Sequence, residues 1–385
     1  MQSAAQSWLV LTLTGSAAVL GLTRAITTIP YLVLAPHAGT LADRRAPQSL
    51  AVLSQLIGAA IAGLVALLVW LGVIQVWLIL LLALVSSCAT ALGWPSTQAL
   101  IPLLAGRRAL GRAVGLNSVQ GNLSGIIGPP IGGWAVAVGG IAAAYAANAL
   151  SSLVAAVGLA HLRLPNEAVG PIVQTSTLTA VRGAVKYARS EPVLLLLLSL
   201  PAIPALFATN YTVLFPIFAR DILHIGPTGL GVMLASVSAG ALIAAVVMFQ
   251  FGQTAGSGKS LVMALATIGG STVAFAVSTW PPFTLFALFA LGASQVVFNV
   301  STLTLILARV PEPMRGRILS IYLLTSAGLA PFGSAALGIT ALVLGPVVAT
   351  VGGGVLTLLT LTAIMLIEPD LWQVRAAGHG GPGNS

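Results

Sequence analysis

Runs of about twenty apolar residues, the length a helix needs to cross the hydrocarbon core of a bilayer, recur along almost the whole of this chain. Eleven stretches qualify: 17–38, 48–70, 76–95, 114–138, 142–162, 193–218, 228–250, 260–278, 283–307, 318–342 and 343–367. The chain is 57% hydrophobic and only 6% charged. A soluble domain carries roughly 25% charged residues because water must wet its surface. The expected fold class is therefore an all-α membrane protein.

Residues 1–12 are apolar (Trp8-Leu9-Val10-Leu11) but too short to span, and carry no basic stretch of the kind that opens a signal peptide. They read as the later part of a first helix whose earlier part is missing, which brings the expected number of transmembrane helices to twelve. The longest polar interval, 163–192, divides the chain. Residues 1–162 form a first six-helix half with its first helix incomplete, and 193–367 a second. Within the linker Leu178, Val181 and Val185 share one helical face, and Arg182, Lys186 and Arg189 another. That spacing fits a short amphipathic helix on the inner leaflet as well as a solvated linker helix. Residues 368–385 are expected to be an unstructured tail.

Basic residues fix the expected orientation. With the loop holding Arg44 and Arg45 in the cytoplasm, strict alternation sends every Lys and Arg of the 16 except Arg24 and Arg220 to that side. The loops with Arg107 and Arg315 face the cytoplasm with it. The short basic clusters separated by apolar runs are loops beside a membrane rather than a nucleic-acid-binding stripe.

The two halves resemble one another. Sliding the first onto the second places Gly111-Arg112 on Gly316-Arg317, Gly128 on Gly333 and Gly133 on Gly338. Internal repeats of this kind mark secondary transporters, with the substrate site between the repeats near mid-membrane. One cysteine (Cys88) and four scattered histidines give no disulfide and no metal-ligand spacing, and neither paired carboxylates nor a nucleophile triad is present. No enzymatic activity, metal or cofactor is expected.

Gly39-Thr40-Leu41-Ala42-Asp43-Arg44 resembles the loop signature between the second and third helices of the major facilitator superfamily, and lies where the topology puts that loop. Ser7-Trp8-Leu9-Val10 with the Leu-Thr-Gly-Ser turn after it, Gly128-Pro129-Pro130-Ile131-Gly132-Gly133, and Met314-Arg315-Gly316-Arg317 are similar to the branch containing siderophore exporters and macrolide efflux proteins. The resemblance implies a bundle of 12 transmembrane helices in two six-helix halves, in a bacterial cytoplasmic membrane. It further implies a cytoplasmic gate. Asp43 would accept N–H groups at the start of the eleventh helix, near Gly316, with Gly39, Arg44, Arg112, Arg315 and Arg317 around it. The basic residues that usually continue the loop motif are replaced here by Ala46-Pro47-Gln48, which departs from the family's fuller charge relay. A solvated turn aspartate is the plainer reading.

Gly128, Pro129, Gly132 and Gly133 resemble the antiporter signature of the fifth helix in facilitator-type exporters. Pro129 removes a backbone donor and the glycines permit close approach, which serves either a gating kink or simple packing. Arg24 is the one charge within a span, so it is either a site residue or a side chain snorkelling to the outer headgroups. All seven acids fall in loops, at helix ends or in the tail. Protons are a candidate coupling ion only if the missing part of the first helix, or a helix-end group such as Asp221, titrates. Uncharged polar residues within spans include Gln55, Asn117, Gln120, Asn122, Asn148, Asn210, Tyr211, Gln295 and Asn299. Of these Gln120, Asn210, Tyr211, Gln295 and Asn299 join Arg24 as candidate cavity residues, though interhelical hydrogen bonds would account for each. Family members often carry Arg near Thr97 and Gly125, and the uncharged residues here suggest a less anionic substrate. The run 252–260 mimics a phosphate-binding loop, but its spacing is one residue too long and no strand precedes it.

The expectation is a monomeric secondary transporter that exports an amphipathic small molecule (a drug, a siderophore or a hydrophobic metabolite) by alternating access. Its partners would be that substrate and the lipid bilayer. An uptake carrier of the same fold and a non-transporting membrane protein are the alternatives.

Overall fold

The computed structural model of the chain describes residues 2–44, 47–162, 187, 189, 191–250, 257–368 and 372, with backbone alone at 32, 35–44, 312, 313, 316 and several positions between 102 and 122. The described residues are helical almost throughout. In chain order they form α1 (Gln2–Thr14), α2 (Ala17–Arg44), α3 (Pro47–Trp70), a long helical run α4 (Val76–Ala160), α5 (Pro192–Ser199), an irregular segment at 200–223, α6 (Gly226–Gln250), α7 (Gly258–Val277), α8 (Pro281–Arg309), α9 (Glu312–Ser326), α10 (Ala330–Leu344) and α11 (Pro346–Ile367). Large apolar side chains such as Phe249, Phe286 and Phe332 stay exposed, as they do on a surface that meets lipid.

Among the described residues nine helices are long and apolar enough to cross a membrane. The difference from the expected eleven has identifiable sources. The runs at 114–138 and 142–162 join into one, at 119–160. The run at 17–38 lies in α2, whose later side chains are outside the description.

The run α4 is not one straight rod. Asn117 Nδ2 donates to Gln98 Oε1 at 3.4 Å, yet these residues would lie about 28 Å apart on a straight helix rising 1.5 Å per residue. Gln48 Nε2 donates to the carbonyls of Leu159 and Leu162, each at 2.8 Å, while Ser54 of the same helix meets Gly93. The run must therefore fold back on itself. Gly140, at φ +73°, sits in the interval the sequence marks as a loop, in a conformation glycine adopts without a Cβ clash.

The segment after α5 reads as the continuation of an apolar helix but is broken. Pro201, Pro204 and Pro216 each lack the N–H that an α-helix would use. The backbone responds with wide turns at Pro204–Ala208 and Phe218–Ile222 around a tight turn at Thr209–Val213. Such interruptions are tolerated at membrane depth where neighbours satisfy the freed groups. Here Asn210 Nδ2 donates to the Ala205 carbonyl at 2.6 Å.

The chain forms two compact units. One comprises Met1–Val173, Thr212–Ala235 and Ser334–Pro346, the other Gln174–Tyr211, Ser236–Gly333 and Val347–Ser385. The core of the second is built from Leu194, Leu197, Leu265, Ile268, Phe298, Leu305 and Ile318, all buried. The amphipathic helix expected within 163–192 and the tail beyond 372 fall outside the described residues.

Candidate functional site

Each unit contains a cavity. In the first, α1, the start of α2, Thr212-Val213 and the early turns of α6 enclose about 180 Å3. Arg24 lines it, two turns into α2. The other polar walls are Ser3, Gln6, Ser7, Thr23, Thr27 and Thr212, and Leu20, Val213, Leu230 and Leu234 form the apolar side. Three of the hydroxyls already donate to carbonyls of their own helices: Ser7 to Ser3 (2.8 Å), Thr23 to Val19 (2.7 Å) and Thr27 to Arg24 (3.0 Å). Among the described residues no carboxylate lines the cavity. The one ion pair among the described residues is elsewhere, between Arg220 and Asp221.

In the second unit a cavity of about 360 Å3 opens beside the broken segment. Thr209, Gln295, Asn299, Tyr322 and Ser326 give it polar walls, and Ile268, Phe298 and Leu323 apolar ones. Gln295 Nε2 donates to the Tyr211 hydroxyl at 3.0 Å, and the Tyr322 hydroxyl donates to Asn299 Oδ1 at 3.4 Å. Tyr211 and Asn210 are buried. Gly333 lies against the Asn210 amide, and a Cβ there would stand 2.8 Å from the Leu206 carbonyl oxygen.

Of the residues expected to line a cavity, Arg24 does so in the first unit, and Gln295 and Asn299 in the second. Tyr211 supports that second wall through Gln295, and Asn210 braces the broken backbone. Gln120 is exposed and donates to Ser124 on its own helix (3.0 Å). Sequence reasoning passed over Tyr322 and the hydroxyls of α1 and α2. Ser and Thr are common in membrane helices, and nothing in their spacing separated these from the rest.

The glycines of the fifth-helix motif have a clear neighbour. A Cβ on Gly133 would collide with the Pro227 carbonyl and come within 3.2 Å of Thr228 Cα. Gly231 is seated against Pro129, its Cβ position 2.8 Å from Pro130 Cα. The motif therefore packs backbone to backbone on the first turns of α6. A second seam of the same kind joins α2 to α10, where a Cβ on Gly21 would stand 2.6 Å from the Ser334 carbonyl oxygen and 3.0 Å from Gly338 Cα.

Of the expected gate, Gly39, Asp43 and Arg44 end α2, and their side chains, like Gly316, are outside the description. Arg112 and Arg315 are exposed and Arg317 is half-buried. Arg315 Nε donates to the Val310 carbonyl at 3.3 Å, covering the end of α8. Asp221 is held by Arg220 through two bonds, of 2.6 and 3.0 Å, and Arg220 also reaches the Leu11 carbonyl at 3.4 Å. Residues 252–256 of the phosphate-loop mimic are outside the description. Ser257 caps α7, its hydroxyl accepting the Ser260 N–H at 3.1 Å, and Lys259 Nζ lies 5.7 Å from the Trp372 ring centroid.

The family model described as "Transmembrane secretion effector" matches residues 1–377. Macrolide efflux protein A of Streptococcus pyogenes is 23% identical over 316 residues, covering 80% of this chain and 77% of that protein. Enterobactin exporter EntS of Citrobacter koseri is 27% identical over 293 residues, covering 75% and 69%. In structure the chain is similar to the nucleoside transporter NupG, with a TM-score of 0.71 at 14% identity, covering 95% of this chain and 94% of that one.

Proposed function

Because this chain belongs to the transmembrane secretion effector family of the major facilitator superfamily, and is similar to macrolide and enterobactin exporters, we propose that it exports an amphipathic small molecule by alternating access. The chain is a multi-pass membrane transporter of small molecules and not an enzyme. Export, the twelve-helix count, the two six-helix halves and the placement of the Arg44, Arg107 and Arg315 loops in the cytoplasm belong to the proposal.

One observation carries it. The seams that join 212–235 and 334–346 to the first helices run through glycines and backbone oxygens rather than interlocked side chains. Alternating access needs surfaces that seal tightly yet part without repacking, and a glycine seam offers both. The two cavities support the substrate class, since each sets hydrogen-bonding groups opposite an apolar wall. Asp43 is proposed as the gate carboxylate, with Gly39, Arg44, Arg112, Arg315, Gly316 and Arg317 beside it. The protein is proposed to act as a monomer. Among the described residues no acid lies in either cavity lining, which leaves a helix-end group such as Asp221 as the proposed carrier if a proton is the coupling ion.

Radiolabelled erythromycin in inverted and right-side-out vesicles tests this reading. Concentrative uptake by inverted vesicles is the expected result. Uptake only by right-side-out vesicles would make the protein an importer, and counterflow in neither would remove the transport reading for this substrate class.

A further inference from the structure

Arg24 presents an electrostatic problem that its cavity does not solve. Arg24 is exposed on α2 beside this cavity rather than buried in the protein, and at membrane depth a positive charge is still costly unless water, an anion or a hydrogen-bonded partner compensates it. Among the described residues the cavity holds no carboxylate and no acid pairs with Arg24. The hydroxyls of Ser7, Thr23 and Thr27 are already donating to their own helices, so they turn lone pairs rather than protons to a guest. The strongest N–H donors left are the guanidinium fork and the Gln6 amide. Opposite them stand Leu20, Val213, Leu230 and Leu234.

We infer that this cavity is an anion subsite for an amphipathic monocarboxylate, whose carboxylate is gripped by Arg24 and whose hydrocarbon lies along Leu20, Leu230 and Leu234. A carboxylate matches the planar two-donor fork of arginine. A single negative charge neutralises the one cation in the lining, whereas a dianionic phosphate would leave a net charge in a region of low dielectric. The hydroxyl lone pairs disfavour the second charge as well. The inference rests on the transport reading in supposing that the subsite belongs to the substrate path. It refines the expectation of a less anionic substrate to one charge, at one end.

The test is binding of radiolabelled octanoate to the purified full-length protein in phosphatidylcholine nanodiscs, with erythromycin counterflow measured in parallel. Saturable octanoate binding that octan-1-ol and octylamine do not displace is expected. Arg24→Gln should weaken it at least about tenfold, the loss of a charge-assisted pair of hydrogen bonds. Arg24→Lys keeps the charge and guards against misfolding of the first variant. It should remain monodisperse, insert normally and still bind several-fold more weakly, because lysine lacks the fork. No saturable binding by the wild type, equal binding by Arg24→Gln, or equal displacement by octan-1-ol would each overturn the inference. So would loss of binding when phosphatidylglycerol is added to the nanodiscs, which would hand the cavity to a lipid headgroup. Erythromycin counterflow without octanoate binding would defeat the subsite alone, and octanoate binding without erythromycin counterflow would support the subsite and count against a macrolide cargo.

Discussion

Tyr211 and Gln295 illustrate how a polar residue in a membrane helix can serve a cavity without touching a guest. The buried Tyr211 hydroxyl takes one amide proton of Gln295 and so aims that side chain along the cavity wall. Tyr211→Phe removes the acceptor at almost constant volume. It should lower thermal stability in detergent by about 0.5–1.5 kcal/mol, the net worth of one intramolecular hydrogen bond. A melting temperature equal to that of the wild type would show the pair to be incidental. Asp43 is proposed as a gate residue from its loop signature. Asp43→Asn keeps the size and some hydrogen bonding but loses the charge that favours a helix N-terminus, about 0.3–1 kcal/mol and up to about 2 when partly buried. Efflux is expected to fall more than expression; unchanged efflux, together with unchanged cysteine accessibility at the cytoplasmic side, would count against a gate.

At the scale of elements, the segment after α5 belongs to a span that the sequence expects, but its backbone is not a regular α-helix. Residues 193–218 read as one apolar span by length and hydropathy. The prolines of the segment nevertheless rule out continuous α-helical hydrogen bonding, and the turns they force bring Asn210 round to the Ala205 carbonyl. Hydropathy counts side chains and is blind to a missing backbone donor. The positions of Pro201, Pro204 and Pro216 were the available signal. Asn210→Leu should destabilise the protein by about 1–3 kcal/mol, because it withdraws a donor from a buried carbonyl. Gly333→Ala should cost a similar amount, typically about 1–3 kcal/mol for overpacking, since its Cβ would press on the same turn. Thermal unfolding of the two single variants and the double would show coupling if they act on one structure. Strict additivity would place them in separate ones.

At the scale of the whole molecule, two glycine seams stand beside the repeat expected from the sequence. The shift that places Gly133 on Gly338 also places Gly21 on Gly226, one residue before the Pro227 carbonyl that Gly133 meets. The two seams, α4 on α6 and α2 on α10, therefore fall at positions related by the same shift along the sequence, and they lie in the same compact unit. Gly21→Ala or Gly133→Ala puts a Cβ into a backbone oxygen, which only separation of the helices relieves. Either substitution should raise the reactivity of a cysteine placed at Ser16 in a Cys88→Ser background, while membrane insertion remains normal. Unchanged labelling in both variants would mean that the seams tolerate the added methyl and do not seal.

The sequence by itself determined the solvent, the helical class, the family and the glycine motifs. Each is written in local composition, in residues close together along the chain. What only the tertiary structure decided is which distant residues meet: Arg24 with α1 and α6, Gln295 with Tyr211, Gly133 with Pro227, Gly21 with Gly338. The physical reason lies in the bilayer. Where lipid is as apolar as the helix interior, hydropathy no longer distinguishes a buried face from an exposed one, and partner choice passes to small residues and hydrogen bonds. Gly, Ser and Thr are spread through every span of this chain, so their presence announces close packing while the folded backbone alone selects the pairs.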